Sequence, residues 1–261
     1  MCVVLSVVGL IGTMSGWLSE SAHAMPDRGK RCVKCHTQKG SSRSFTDTFY
    51  LEQCNGFSDT GSNPYFILEP DYQLVLEGTE KKQTVQLIIT VLGETKTVTL
   101  DIGGVPTGVV TRVVEERESK DEVLVEVSRN YFAICNRTNS VMYFGEAVDI
   151  FNEDGTITHE GAWEAGVDGA KPGIIMPGTI LLGGKYFQEI APGVAMDRAE
   201  IRSINAVVQV PAAPPPGNFT NCLKTRETTP LEGGVGIKFY APGVGLVKDD
   251  SLHLVQYGFI P

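Results

Sequence analysis

Two thiols and an imidazole stand together in the run Cys32-Val33-Lys34-Cys35-His36. Thiols three positions apart suit addition to the two vinyl groups on one edge of a haem, with the adjacent His36 as proximal iron ligand. Three other readings fit the same residues. The Cys-x-x-Cys spacing lowers a thiol pKa and suits a reversible disulfide between Cys32 and Cys35. Cys32, Cys35, His36 and Cys54 together make a donor set of the kind zinc takes. The motif also arises by chance in an unstructured arm. Candidates for a sixth iron ligand are His159, His253, Met25, Met142, Met176 and Met196, with solvent or an open position as the alternatives.

The neighbourhood of that motif, residues 29–40, resembles the haem-attachment segment of c-type cytochromes. The resemblance implies one covalent haem c on Cys32 and Cys35, iron bound by His36, and electron transfer or redox sensing with a redox partner. It ends after a dozen residues. A cytochrome c domain wraps its haem in helices that supply the distal ligand, and residues 40–65 show no helical pattern.

Compartment follows from the first 24 residues. Residues 2–18 are uncharged and largely apolar, and Ser21-Ala22-His23-Ala24 fits the small-residue pattern of a signal-peptidase site. The expectation is a cleaved signal peptide over 1–24 and a periplasmic or extracellular chain, with a single membrane anchor as the alternative. No other segment approaches transmembrane length, so no membrane span is expected after cleavage. Cys32, Cys35, Cys54, Cys135 and Cys222 would remain in a compartment that permits disulfides. If Cys32 and Cys35 hold a ligand, the other three supply one pair and one free thiol, and the sequence does not choose between them. The 22 Lys and Arg against 31 Asp and Glu give a charge of −9, which argues against a nucleic-acid partner.

The remainder reads as all-β: a twisted antiparallel sheet or open barrel over 63–261, preceded by a flexible arm over 25–62. Residues 83–92, 96–102 and 108–114 are rich in Val, Ile and Thr, and 122–132 partly alternates. Further strands are expected at 141–144, 147–151, 207–210, 218–225, 236–240 and 252–257. Turn signals fall at Gly78, Gly93, Gly103-Gly104, Lys120-Asp121 and Asp154-Gly155. Residues 161–194 are dense in Gly and Pro and read as a long ordered loop with a strand near 186–190. The best helical candidate is 196–204. Ala-Pro-Gly-Val occurs twice, at Ala191 and Ala241, each time after an aromatic strand end.

Other constellations are weaker. Glu160, Glu164 and Asp168 near His159 could hold a cation, and Asp197, Arg198 and Glu200 read as a surface ion pair. No Gly-x-Ser-x-Gly elbow supports a hydrolase, and Gly103-Gly104 and Gly233-Gly234 lack the strand–helix context of a phosphate site. Trp163 reads as a core plug. Residues 63–70, 161–194 and 211–247 together resemble a group of exported bacterial proteins broadly similar to periplasmic lipoprotein carriers of the LolA type. In those carriers a curved antiparallel sheet cups an apolar ligand. The resemblance implies a non-catalytic binding module for a lipid or other apolar ligand, as the alternative to the haem protein, with the Cys-x-x-Cys then a disulfide or metal site.

Overall fold

The computed structural model describes residues 44–210 and 217–261. The expected signal peptide, Met25, Cys32, Cys35 and His36 lie outside the described residues. A short 3-10 turn (Leu51–Cys54) leads into β1 (Phe57–Ser58), β2 (Gly61–Asn63) and β3 (Phe66–Leu68). A meander follows: β4 (Tyr72–Glu80), β5 (Gln83–Ile102), β6 (Val105–Lys120), β7 (Val123–Cys135) and β8 (Val141–Phe151). The tight turns between β4 and β7 each hold two successive residues at positive φ. These are Lys81-Lys82 (46° and 76°), Gly103-Gly104 (62° and 85°) and Asp121-Glu122 (48° and 69°). That geometry matches the right-handed strand twist and closes a two-residue hairpin. Asp154-Gly155 turns β8 into β9 (Ile157–Thr158), with Gly155 at φ 83°.

Next come β10 (Trp163–Glu164), β11 (Lys171–Met176), β12 (Lys185–Phe187), β13 (Glu189–Ile190) and β14 (Arg198–Gln209). The chain ends with β15 (Asn218–Thr228), β16 (Gly236–Ala241), β17 (Gly245–Asp249) and β18 (Leu252–Phe259). The main sheet runs β12-β14-β15-β16-β17-β18-β4-β5-β6-β7-β8-β11-β13, while β1, β9 and β10 pair onto it from the side. Its ladders are antiparallel, so the expected all-β antiparallel architecture is present.

The two ends of this order, β12 and β13, are separated in sequence by Gln188 alone. Phe187 pairs with Arg198 of β14, and Glu189 pairs with Pro172 of β11. One bent segment therefore bridges both edges and nearly closes the sheet into a barrel, which removes most of the unpaired edge. The bend is held by the Asp197 carbonyl, which accepts from the amides of Gln188 (2.7 Å) and Glu189 (3.2 Å). The two Ala-Pro-Gly-Val runs make the same turn. The amides of Val194 and Val244 donate to Ala191 and Ala241, with Gly193 and Gly243 at φ 77° and 73°.

Four expectations are corrected. Of residues 196–204, read as helix, 198–204 are strand, because β14 is paired by both β12 and β15. Gly93 is no turn. It sits at a bulge inside the 20-residue β5, where its carbonyl and those of Leu92 and Glu94 accept from Arg112 Nη1 (2.8, 3.4 and 3.4 Å). Gly78 lies within β4, where a Cβ would meet the Ser251 carbonyl at 2.4 Å. The stretch 161–194 carries β10 and β11 besides the expected strand.

The described part of the expected arm, from Phe45 on, belongs to the barrel's compact unit. Thr46 bridges Tyr186, and Phe45 packs on Phe187 and under Arg198. Asp59 pairs with the buried Arg112 at 2.5 Å. Cys54 is disulfide-bonded to Cys135 of β7 across 81 residues. A loop of that length restricts the unfolded chain by about 4 kcal/mol.

The seam makes a sharp demand at Gly173 of β11. A Cβ there would stand 2.2 Å from the Gln188 carbonyl oxygen, so strand and bend approach only because the side chain is missing. Gly173→Ala is expected to lose about 1–3 kcal/mol, the usual cost of overpacking. Urea unfolding followed by circular dichroism checks this; an unchanged midpoint would contradict the closure geometry.

Candidate functional site

The barrel interior combines an apolar region with a buried ionic cluster. Strand alternation and the β5–β6 register, in which Ile89 faces Glu116 and Val91 faces Val114, place these residues on one inward face. Between the sheet walls lies a small apolar recess, part of it open to solvent. Leu74, Ile89, Val91, Val114, Phe132 and Tyr240 contribute to its lining, and the charged residues in its wall are Glu116 and Lys238. Phe132 is fixed by Phe66 (5.2 Å) and Tyr143 (4.7 Å), and Tyr143 by Trp163 (5.3 Å). Tyr143 also donates from its hydroxyl to Asn130 Oδ1. Trp163 is buried, 7% exposed, in the core position expected for it.

Lys238 projects inward from β16. Its Nζ lies 3.1 Å from Glu227 Oε2 and 3.7 Å from Asp249 Oδ2. Burial disfavours its charge, but Asp249 and Glu227 outweigh that and hold the ammonium protonated. Burial also pushes Glu227 up, yet Lys238 more than offsets it and the carboxyl stays below its usual value. Gln188 Nε2 (3.2 Å) and Thr225 Oγ1 (3.1 Å) donate to Glu227 Oε1. The seam residue is thus tied by its side chain to the same carboxylate that holds the lysine. Breaking a buried pair of this kind costs about 3–5 kcal/mol, because it strands the remaining charge.

Around this pair stand more carboxyls than cations. Asp249 is pushed up to about 7 by burial, against the pull of Lys238. Glu126 is pushed up to about 7 by burial and by Glu118 and Glu116. Burial also raises Glu116. Glu146 and Glu189 are both raised, first by burial, with Glu189 acting on Glu146 and Asp197 on Glu189. Both oxygens of Glu189 and Oε2 of Glu146 are buried, and the Trp163 indole N–H stands beside Glu189 and pulls against its rise.

The sequence-derived candidates are scattered. Cys54, proposed as a zinc ligand, is in the disulfide with Cys135, which removes its thiolate from that set. Cys222 is the free thiol among the described residues, buried and pushed up to about 11 by burial. Met142 and Met176 are packed in the core at 2% and 0% exposure. His159 contacts the Val148 carbonyl (2.8 Å) and Asp149 (3.0 Å), and His253 the Ser251 carbonyl (3.1 Å). Met196 lies at the barrel surface, half-buried.

The acidic loop does not converge. Glu164 pairs with Lys96 (2.7 Å), and Glu160 and Asp168 are exposed. Glu200 pairs with Lys185 and Arg202 rather than with Arg198, which bonds Thr228 and lies against Phe45. Among the described residues no three His, Cys, Asp or Glu side chains come together as a metal site. The interior cluster was missed because its members have charged neighbours on the outer face. Glu116 sits between Glu115 and Arg117. The available signal was the density of acidic residues within strands otherwise rich in Val.

The fold and site define a nearly closed β-barrel with a partly apolar, partly ionic interior. Comparison with protein-family models, curated proteins and solved structures finds no match to this chain.

The raised carboxyls set a direction for stability. Glu126 and Asp249 keep a proton in the folded protein up to about pH 7, whereas the unfolded chain has released it by then. Folding therefore binds protons, and each group's contribution is lost as pH rises from the ordinary carboxylate range through about 7. The thermal midpoint of Glu126→Gln should fall less than that of the wild type between about pH 5 and about pH 8. Parallel pH dependences in scanning calorimetry would contradict the assignment.

Proposed function

We propose that this chain is an exported, non-catalytic binding module whose β-barrel encloses one apolar molecule. The cavity carries the proposal: it is a recess between the sheet walls, and most of its wall is aliphatic or aromatic, the character of small-molecule sites. A few polar groups at one side, Glu116 and Lys238, would orient the guest. The apolar leader supports export, and the Cys54–Cys135 disulfide suits an oxidising compartment. The likeness to carriers with a ligand-cupping sheet points the same way.

The neutral dye N-phenyl-1-naphthylamine, which fluoresces in apolar surroundings, tests this. Saturable binding at one site per chain is expected. Ile89→Trp, which fills the cavity from a half-buried position, should weaken it about tenfold or more, roughly 1.4 kcal/mol. Non-saturable binding, or equal binding by the filled variant with its fold intact, would overturn the proposal.

A second reading is favoured by one observation, the Cys32-Val33-Lys34-Cys35-His36 run. In it the chain carries one haem c on Cys32 and Cys35, with His36 on the iron, and passes or senses electrons. Intact mass after export alongside haem-attachment machinery decides it. The wild type should gain one haem that survives denaturation, and Cys32→Ala with Cys35→Ala should gain none. A wild-type mass equal to that of the bare polypeptide ends this reading.

A further inference from the structure

We propose that Lys238 and Asp249 condense into an intramolecular amide that staples β16 to β17, with Glu227 as the base that moves the protons. The inference does not depend on a guest in the barrel. Its first ground is placement. Lys238 and Asp249 stand directly opposite each other in the antiparallel β16–β17 pair, and Thr225 of β15 faces Lys238 from the other side. Glu227 lies two residues beyond Thr225, on the same buried face of β15. The lysine Nζ is 3.1 Å from Glu227 Oε2 and 3.7 Å from Asp249 Oδ2. The Asp249 carboxyl carbon, one bond beyond that oxygen, is therefore within about 5 Å of the amine. A small turn of the lysine chain brings it to attacking distance, about 3–3.5 Å.

The second ground is that the two carboxyls differ. Glu227 Oε1 accepts from Gln188 Nε2 and Thr225 Oγ1, which favours the ionised form and makes it the base. Asp249 Oδ2 is buried and accepts no hydrogen bond that an attack would have to break. Burial also lets Asp249 keep its proton up to about pH 7, and a protonated carboxyl has a hydroxyl to lose. Neighbouring carboxyls driven apart in this way take the acid and base roles. The third ground is dryness. Lys238, Asp249 and Glu227 are 4, 5 and 8% exposed. In such surroundings a proton passes from the ammonium to Glu227 more readily than in water, because the transfer turns an ion pair into a neutral pair.

The step balances without a co-reactant. It starts from the Lys238 ammonium, the Glu227 carboxylate and the protonated Asp249 carboxyl. Glu227 takes one proton from the ammonium, and the free amine attacks Asp249 Cγ. The N–C bond forms. Glu227 then passes its proton to the departing hydroxyl, the C–O bond breaks, and Glu227 takes the second proton from the nitrogen. One water leaves, the amide is neutral, and Glu227 ends protonated. Lys238 lines the recess that opens to solvent, which gives the water a way out. Other lysine–carboxyl pairs are wetter. The side chains of Lys96 and Glu164 are 38% and 31% exposed, so water keeps both ionised and the amine unreactive.

Mass spectrometry of the purified full chain, reduced and denatured, tests this. Trypsin should fail to cut after Lys238, and residues 227–248 should be recovered joined to 249–261, lighter than the two fragments together by one water. Fragmentation should place the link between Lys238 and Asp249. Lys238→Met should give the same two fragments unjoined. Glu227→Gln keeps side-chain size but not basicity. After cell-free synthesis under oxidising conditions it should link about a hundredfold more slowly than the wild type, with circular dichroism confirming its fold. Cleavage after Lys238 in the folded wild type would overturn the inference. So would a link from Lys238 to Glu227, or a folded Glu227→Gln chain that links as fast as the wild type. If Glu227→Gln does not fold, the wild-type fragments decide alone: a Lys238–Asp249 link upholds the amide, and an unmodified Lys238 ends it.

Discussion

The architecture depends on closing a long antiparallel sheet through one residue. Gln188 links the last three-residue strand on one edge to a two-residue strand on the other. Neither piece is long enough to hold a sheet edge alone. Their pairing becomes stable because the backbone bend is fixed by the Asp197 carbonyl and the side chain is fixed on Glu227. Closure is also what creates an interior. Without it, Glu227, Lys238 and Asp249 would face water and their mutual attraction would be screened to little. Inside the barrel the same three groups interact at low dielectric, and leaving any one unpaired becomes expensive.

The N-terminal segment from Phe45 to Asn63 reinforces the barrel at separate places. One is the seam, through Thr46 and Phe45. Another is the bulge of β5, where Arg112 gathers three carbonyls and the Asp59 carboxylate. The third is the end of β7, through the disulfide. Arg112 shows how sequence-distant pieces are made interdependent. The bulge turns carbonyls away from the ladder, the guanidinium satisfies them, and Asp59 neutralises the guanidinium.

Much of the fold was legible. The Val, Ile and Thr runs and the paired turn residues point to the correct hairpins, and Asp154-Gly155 turns where its chemistry says it should. Legibility failed where long-range pairing decides. Gly93 looks like a turn from its neighbours alone, and only Arg112, from the next strand, makes it a bulge. Residues 196–204 have no strong local preference, and two flanking strands decide their state. The interior site was the least legible part. In β16, Ile237 and Phe239 suggest an inward apolar face, yet Lys238 and Tyr240 are the buried pair. A two-residue period identifies two faces without saying which one is inside when the interior carries charge. The Cys-x-x-Cys-His motif was the plainest chemical signal in the chain. It lies outside the described residues.

Cys222 has a consequence for how the chain matures. A free sulfhydryl in an oxidising compartment invites exchange with any neighbouring disulfide, and the attacking species is the thiolate. Here the group is sequestered beneath the barrel wall and held almost wholly protonated. Once folded, the barrel therefore keeps this sulfur from attacking the Cys54–Cys135 cross-link. For Cys222 the hazard is confined to the interval before the wall forms, when its pairing depends on which sulfur it meets first.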